Sequence, residues 1–80
     1  MKSKIYIKYK EGILDPQGAV TQKALESIGV KGIESMTIGK FVEIKFKDSK
    51  KNKINELTQE SCEKLLVNPN TETFTFEIEE

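Results

Sequence analysis

Ile38-Gly39-Lys40-Phe41-Val42-Glu43-Ile44-Lys45-Phe46 is the stretch on which the fold turns. Val42, Ile44 and Phe46 alternate with Glu43, Lys45 and Lys47, the two-residue period of a strand with one buried face. Gly39 stands just before it, where a tight turn favours a residue without a Cβ. On either side the chain repeats strand, helix and strand signals, so this strand closes one half and opens the other.

Upstream, Ile5, Ile7 and Tyr9 alternate with Lys4, Tyr6, Lys8 and Lys10, which predicts strand one with its isoleucines inward. Asp15 then precedes Pro16. An N-cap Asp accepts first-turn N–H groups, and Pro at the first helical position lacks a donor that would be orphaned there. Helix one is expected to run to about Ile28 and to end at Gly29. Its apolar stripe is Val20, Ala24 and Ile28, flanked by Thr21 and Leu25. Gly18 inside the first turn costs up to about 1 kcal/mol relative to Ala; either it is merely tolerated, or another backbone comes close to it. Ile33 to Ile38 reads as a short second strand, antiparallel to the third because the link is so short.

Downstream, Asp48 to Lys53 is polar. Lys45, Lys47, Lys50, Lys51 and Lys53 read as a solvated strand end and helix face rather than a phosphate or RNA patch. Three lysines there oppose the dipole of a following helix. Helix two is expected to bury Ile54, Leu57, Ser61 and Leu65, with Cys62 and Leu66 at its edges. Asn68-Pro69 stops it, because the residue before Pro disfavours helical geometry. Strand four, Thr71 to Glu79, turns Phe74, Phe76 and Ile78 one way and Thr75, Glu77 and Glu79 the other. The order predicts an α+β chain of ferredoxin-like βαββαβ type. Its four antiparallel strands would lie in the order 4-1-3-2, with both helices on one face. The other face would carry Tyr6, Lys8, Phe41, Glu43, Lys45, Thr75 and Glu77.

Eighty residues make one domain, read here as residues 1–80. So short a chain buries only roughly 60–65 % of its unfolded surface, which makes cover from another chain a natural supplement. Thirteen lysines balance thirteen acids, with no Arg and no His. Without Arg there is no bidentate reading of guanine or phosphate, so nucleic acid is not an expected partner. Without His the usual near-neutral acid–base group is missing. The one Cys can form neither an internal disulfide nor a multi-thiolate metal site. No apolar run suits a membrane span, and the expected location is the cytoplasm.

No catalytic set emerges. Cys62 has no His to activate it and reads as a small structural residue. Gly39-Lys40 lacks the glycine spacing and the following Ser or Thr of a phosphate loop. Tyr6 and Phe41 could stack on RNA bases, but Glu43 lies close by and no Arg assists. Glu77, Glu79 and Glu80 read as a solubilising acidic tail, and Glu72 and Asp15 as isolated carboxylates with no evident acid–base partner. The composition suits an adaptor or regulatory module.

Four ordered motifs add a resemblance. They are Leu14-Asp15-Pro16-Gln17-Gly18 after strand one, Gly29 after helix one, Ile38-Gly39-Lys40 at the hairpin, and Cys62-Glu63-Lys64-Leu65-Leu66-Val67-Asn68-Pro69 before the last strand. Together they resemble the PurS family, the small subunit of bacterial and archaeal phosphoribosylformylglycinamidine synthase. Thr37, where Arg would be expected, and Asn70-Thr71, in place of an apolar pair, depart from that pattern. The resemblance implies a non-catalytic subunit in purine biosynthesis that bridges a glutaminase subunit and a large ATP-dependent synthetase subunit. It implies a homodimer or a dimer of dimers. It implies no cofactor on this chain, with ATP, magnesium and glutamine used by the partners. It also marks Asp15, Pro16, Gly18, Gly39, Lys40, Asn68 and Pro69 as shape-setting or partner-contact residues. The alternative is a small-molecule-sensing domain of the ACT type, which shares the topology. In that case Gln17 interrupts the Asp-x-Pro-Gly-like helix start.

Overall fold

The computed structural model describes residues 1–47 and 50–80. Asp48 and Ser49, the start of the polar Asp48–Lys53 stretch, lie outside the described residues. The elements are β1 (Lys2–Tyr9), α1 (Pro16–Ser27), β2 (Lys40–Lys45), α2 (Lys51–Ser61), a π-helical turn (Cys62–Leu66) and β3 (Glu72–Glu79). The chain is thus α+β, with an antiparallel sheet and two helices.

Among the described residues the sheet has three strands in the order β2-β1-β3, not four. The central and outer strands pair as expected, with Ile5 opposite Val42 on one side and Phe76 on the other. The missing member is Ile33–Ile38, which forms no ladder. The Ile38 N–H points instead at the Asp15 carboxylate, 2.8 Å away, so a donor that a strand would use for pairing is spent on a side chain.

α1 begins and ends for local reasons. Asp15 caps it, Pro16 fills the first position, and the left-handed Gly29 (φ 101°) closes it. Val30 and Gly29 donate to the Leu25 and Glu26 carbonyls at 3.0 and 3.2 Å, a Schellman closure. The packing differs from expectation. Among the described residues no helix or strand packs extensively on α1; its one fully buried residue is Gly18, and Thr21, Gln22 and Leu25 are half-buried. Val20 and Ile28, expected in the core, are 69 % and 77 % exposed, and Ala24 is exposed with them. The radius of gyration is 16.0 Å, against about 12 Å for a compact chain of this length. Among the described residues α2 and the π-helical turn after it cover the sheet.

α2 also presents a different face. Ile54, Thr58 and Cys62 are fully buried, while Leu65 is 84 % exposed. The inward step is four residues, then four, then five to Val67. The last step is lengthened by the π turn, where the Val67 N–H donates to the Cys62 carbonyl at 3.1 Å. That extra residue swings Leu65 outward. Thr58 replaces Leu57 on the buried face because its hydroxyl meets Ser3, also fully buried, on β1. The closed core is small: Ile5, Ile7, Cys62 and Val67. Val42, Ile44, Phe74 and Phe76 pack around it while remaining partly open to solvent.

Candidate functional site

The seven residues singled out by sequence converge on one end of the sheet, where β1 finishes and β2 and β3 begin. They form two clusters, each organised by a carboxylate.

Asp15 organises the first. Its side chain accepts the Gly18 N–H at 2.9 Å through one oxygen and the Ile38 N–H at 2.8 Å through the other. These two donors, that of Ile38 first, hold the Asp15 carboxyl below its usual range, because both favour the charged form. Asp15 thereby ties the chain entering α1 to the chain leaving for β2. The tie leaves no room at two glycines. A Cβ on Gly18 would lie 2.7 Å from the Met36 carbonyl oxygen and 2.8 Å from the Asp15 carboxylate. A Cβ on Gly39 would strike the Ile7 carbonyl on β1. Pro16 starts the helix immediately after the tie.

Glu72 organises the second cluster, and it is not the isolated carboxylate that the sequence suggested. One of its oxygens accepts the Asn68 N–H at 2.8 Å, and the other lies 3.6 Å from the Lys40 ammonium. Asn68 shapes the turn around Pro69: its side chain accepts the Asn70 N–H at 3.0 Å and its carbonyl accepts the Glu72 N–H at 2.8 Å. Lys40 pairs with Ile7 and Glu72 with Tyr9, so the ion pair reaches across β1 from one edge strand to the other.

Neither cluster offers chemistry. Both carboxylates are occupied by donors, and the Cys62 thiol is pushed up by burial in the core. Among the described residues no three Cys, Asp or Glu side chains stand together as a metal site, and no helix is long and apolar enough to cross a membrane.

The outer sheet face is the second feature. Tyr6 and Phe41 lie against each other, ring centres 5.2 Å apart, and both are exposed. The acidic tail is tied down rather than free. Glu77 accepts the Tyr6 hydroxyl at 2.8 Å, and Glu79 pairs with Lys4 at 2.5 Å. Lys2 adds Glu43 at 2.8 Å. Sequence reasoning missed Ser3, Thr58 and Met36, and it read Asp15 and Glu72 as isolated although both accept backbone N–H groups. Of the three missed, only Ser3 carried a local signal, as a polar residue in phase with Ile5 and Ile7.

A helix with a bare apolar stripe, a sheet covered on one side by one helix, and carboxylates used as ties are the marks of an assembly subunit. Comparison with known proteins gives the family. The model of the PurS family, described as phosphoribosylformylglycinamidine (FGAM) synthase, matches residues 2–80. PurS of Bacillus subtilis strain 168, a phosphoribosylformylglycinamidine synthase subunit, is 39 % identical over 79 residues, 99 % of this chain and 93 % of that protein. The crystal structure of Methanocaldococcus jannaschii PurS superposes with a TM-score of 0.86 at 31 % identity, covering 98 % of this chain and 94 % of that one. A chain of the PurLQS structure from Thermotoga maritima superposes at 0.85 with 26 % identity, covering 95 % and 93 %. The chain belongs to the PurS family. That whole-length match, rather than any feature of the ACT type, decides between the two readings of the sequence.

Proposed function

We propose that this protein is the small, non-catalytic subunit of FGAM synthase and acts in the cytoplasm as one PurS-like unit over residues 1–80. Its partners are the large synthetase subunit and the glutaminase subunit. Glutamine hydrolysis in the glutaminase releases ammonia. The synthetase, with magnesium and ATP, phosphorylates the amide oxygen of formylglycinamide ribonucleotide; ammonia attacks that carbon and phosphate leaves, giving the amidine. This chain supplies no group to either step. It holds the two active sites in register so that ammonia passes between them without escaping to solvent. The remaining β1-α1-β2-α2-β3 plan is read as an abbreviated ferredoxin-like one.

The chain works as a homodimer, alone or as a dimer of dimers. Each copy carries both halves of a missing interface: the Val20–Ala24–Ile28 stripe lacks a sheet, and the Val42–Ile44 side of the sheet lacks a helix. Reciprocal exchange satisfies both and closes under two-fold symmetry. Asp15, Pro16, Gly18, Gly39, Lys40, Asn68 and Pro69 set the shape of the end from which α1 departs.

The observation that carries the reading is the match of residues 2–80 to the PurS family. Affinity purification of the protein from its native cell, followed by mass spectrometry, tests it. Recovery of the synthetase and glutaminase subunits is expected. Recovery of this chain alone, under every nucleotide and glutamine condition, would overturn it.

A further inference from the structure

α1 is tied to the rest of the chain at its N-terminal end. Among the described residues no strand and no other helix packs extensively on it, although Thr21, Gln22 and Leu25 are half-buried, and the linkers to β1 and β2 are joined where Asp15 bonds Gly18 and Ile38. Backbone contact at Gly18 against Met36, and at Gly39 against Ile7, stiffens that joint, since neither site has room for even a methyl group. A helix with an exposed apolar stripe would otherwise fold back, because its own sheet offers the partly open Val42, Ile44 and Phe74.

We propose that Asp15 is a positioning residue that holds α1 away from its own sheet, so that the apolar stripe is kept for a second copy of the chain. The residue selects exchange between copies over closure within one. This rests on the homodimer reading above. The cap to Gly18 and the bridge to Ile38 are separable. Asp15→Asn keeps an oxygen for the Gly18 N–H but turns an amide donor toward the Ile38 N–H. Asp15→Ser keeps a cap and is too short to bridge.

The test measures self-association by sedimentation over a dilution series, with small-angle scattering on the most dilute, monomeric samples. Circular dichroism follows helix content. The wild type is expected to dimerise and to show an extended monomer near 16.0 Å in radius of gyration. Both variants are expected to keep their helix content, to dimerise at least about tenfold more weakly, and to show a monomer contracted toward about 12 Å. Wild-type affinity and an extended monomer in both variants would overturn the proposal. So would loss of folding in both, because that would make Asp15 a stability residue only. A wild type that stays monomeric at every concentration sinks the homodimer reading instead; the monomer radii of wild type and variants still decide the role of Asp15.

Discussion

The docking of α2 rests on one polar contact inside an apolar layer. Ser3 on β1 and Thr58 on α2 are both fully buried, and their hydroxyls share a hydrogen bond of 2.5 Å. Thr58→Val keeps the volume, replaces the hydroxyl with a methyl, and leaves the Ser3 hydroxyl buried without a partner. Such an orphan costs about 1–3 kcal/mol. Against a total of roughly 4–12 kcal/mol for a chain of this size, that is a large share. At about 4–8 °C per kcal/mol, a loss of about 2 kcal/mol lowers Tm by roughly 10 °C. Ser3→Ala carries the same kind of penalty from the other side. The double variant removes both hydroxyls together and is expected to lie within about 1 kcal/mol of wild type, so that the coupling is about 3 kcal/mol. Urea denaturation of all four proteins, at one protomer concentration so that assembly does not bias the comparison, measures it. Additive single losses would refute the reasoning, because Ser3 would then have found another partner once Thr58 was gone.

Further expectations follow from the packing and the charges. Ile54→Ala should cost about 2–5 kcal/mol, whereas Leu65→Ala, on a residue 84 % exposed, should stay within about 0.5 kcal/mol in the same urea assay; equal losses would contradict the shift in phase at the π turn. Val20→Lys with Ile28→Lys should weaken self-association at least about tenfold in sedimentation and leave the monomer folded; unchanged association would remove α1 from the interface. Asp15 is held low by the Ile38 and Gly18 N–H groups, Glu43 by Lys2 and Glu79 by Lys4. Groups with depressed folded values contribute stability that is complete above their unfolded values and is lost as pH falls through the folded ones. With no histidine in the chain, the urea midpoint should be flat from about pH 8 to about pH 5 and fall below about pH 4. A drop between pH 7 and pH 5 would contradict the assignment.

What the sequence made legible was what its neighbours in the chain decide. The Asp15-Pro16 start and the Gly29 stop of α1 depend on groups within a turn, and both stand as read. The alternation of β1, β2 and β3 fixed their faces and relative order. What it hid depends on distant contacts. Ile33–Ile38 alternates well enough for a strand, yet the Ile38 donor is taken by Asp15, 23 residues away. The buried face of α2 was misread because Leu57 and Leu65 are more apolar than Thr58 and Cys62, and nothing within α2 announces the Ser3 hydroxyl across from it or the π turn. The stripe on α1 was visible, but periodicity does not say which chain covers it. Gly18 raised the question of a close backbone, and only the structure supplies Met36 as its neighbour. Lys40, Asn68 and Pro69 were singled out separately; Glu72, which links Lys40 to Asn68 beside Pro69, was read as isolated.

The role in assembly is tested most directly by reconstitution. The synthetase and glutaminase subunits are assayed for FGAM formation with glutamine, and separately with ammonium salt, in the presence and absence of this chain. The account predicts that ammonium-driven synthesis proceeds either way, while glutamine-driven synthesis requires the chain. Full glutamine-driven synthesis without it would contradict the account.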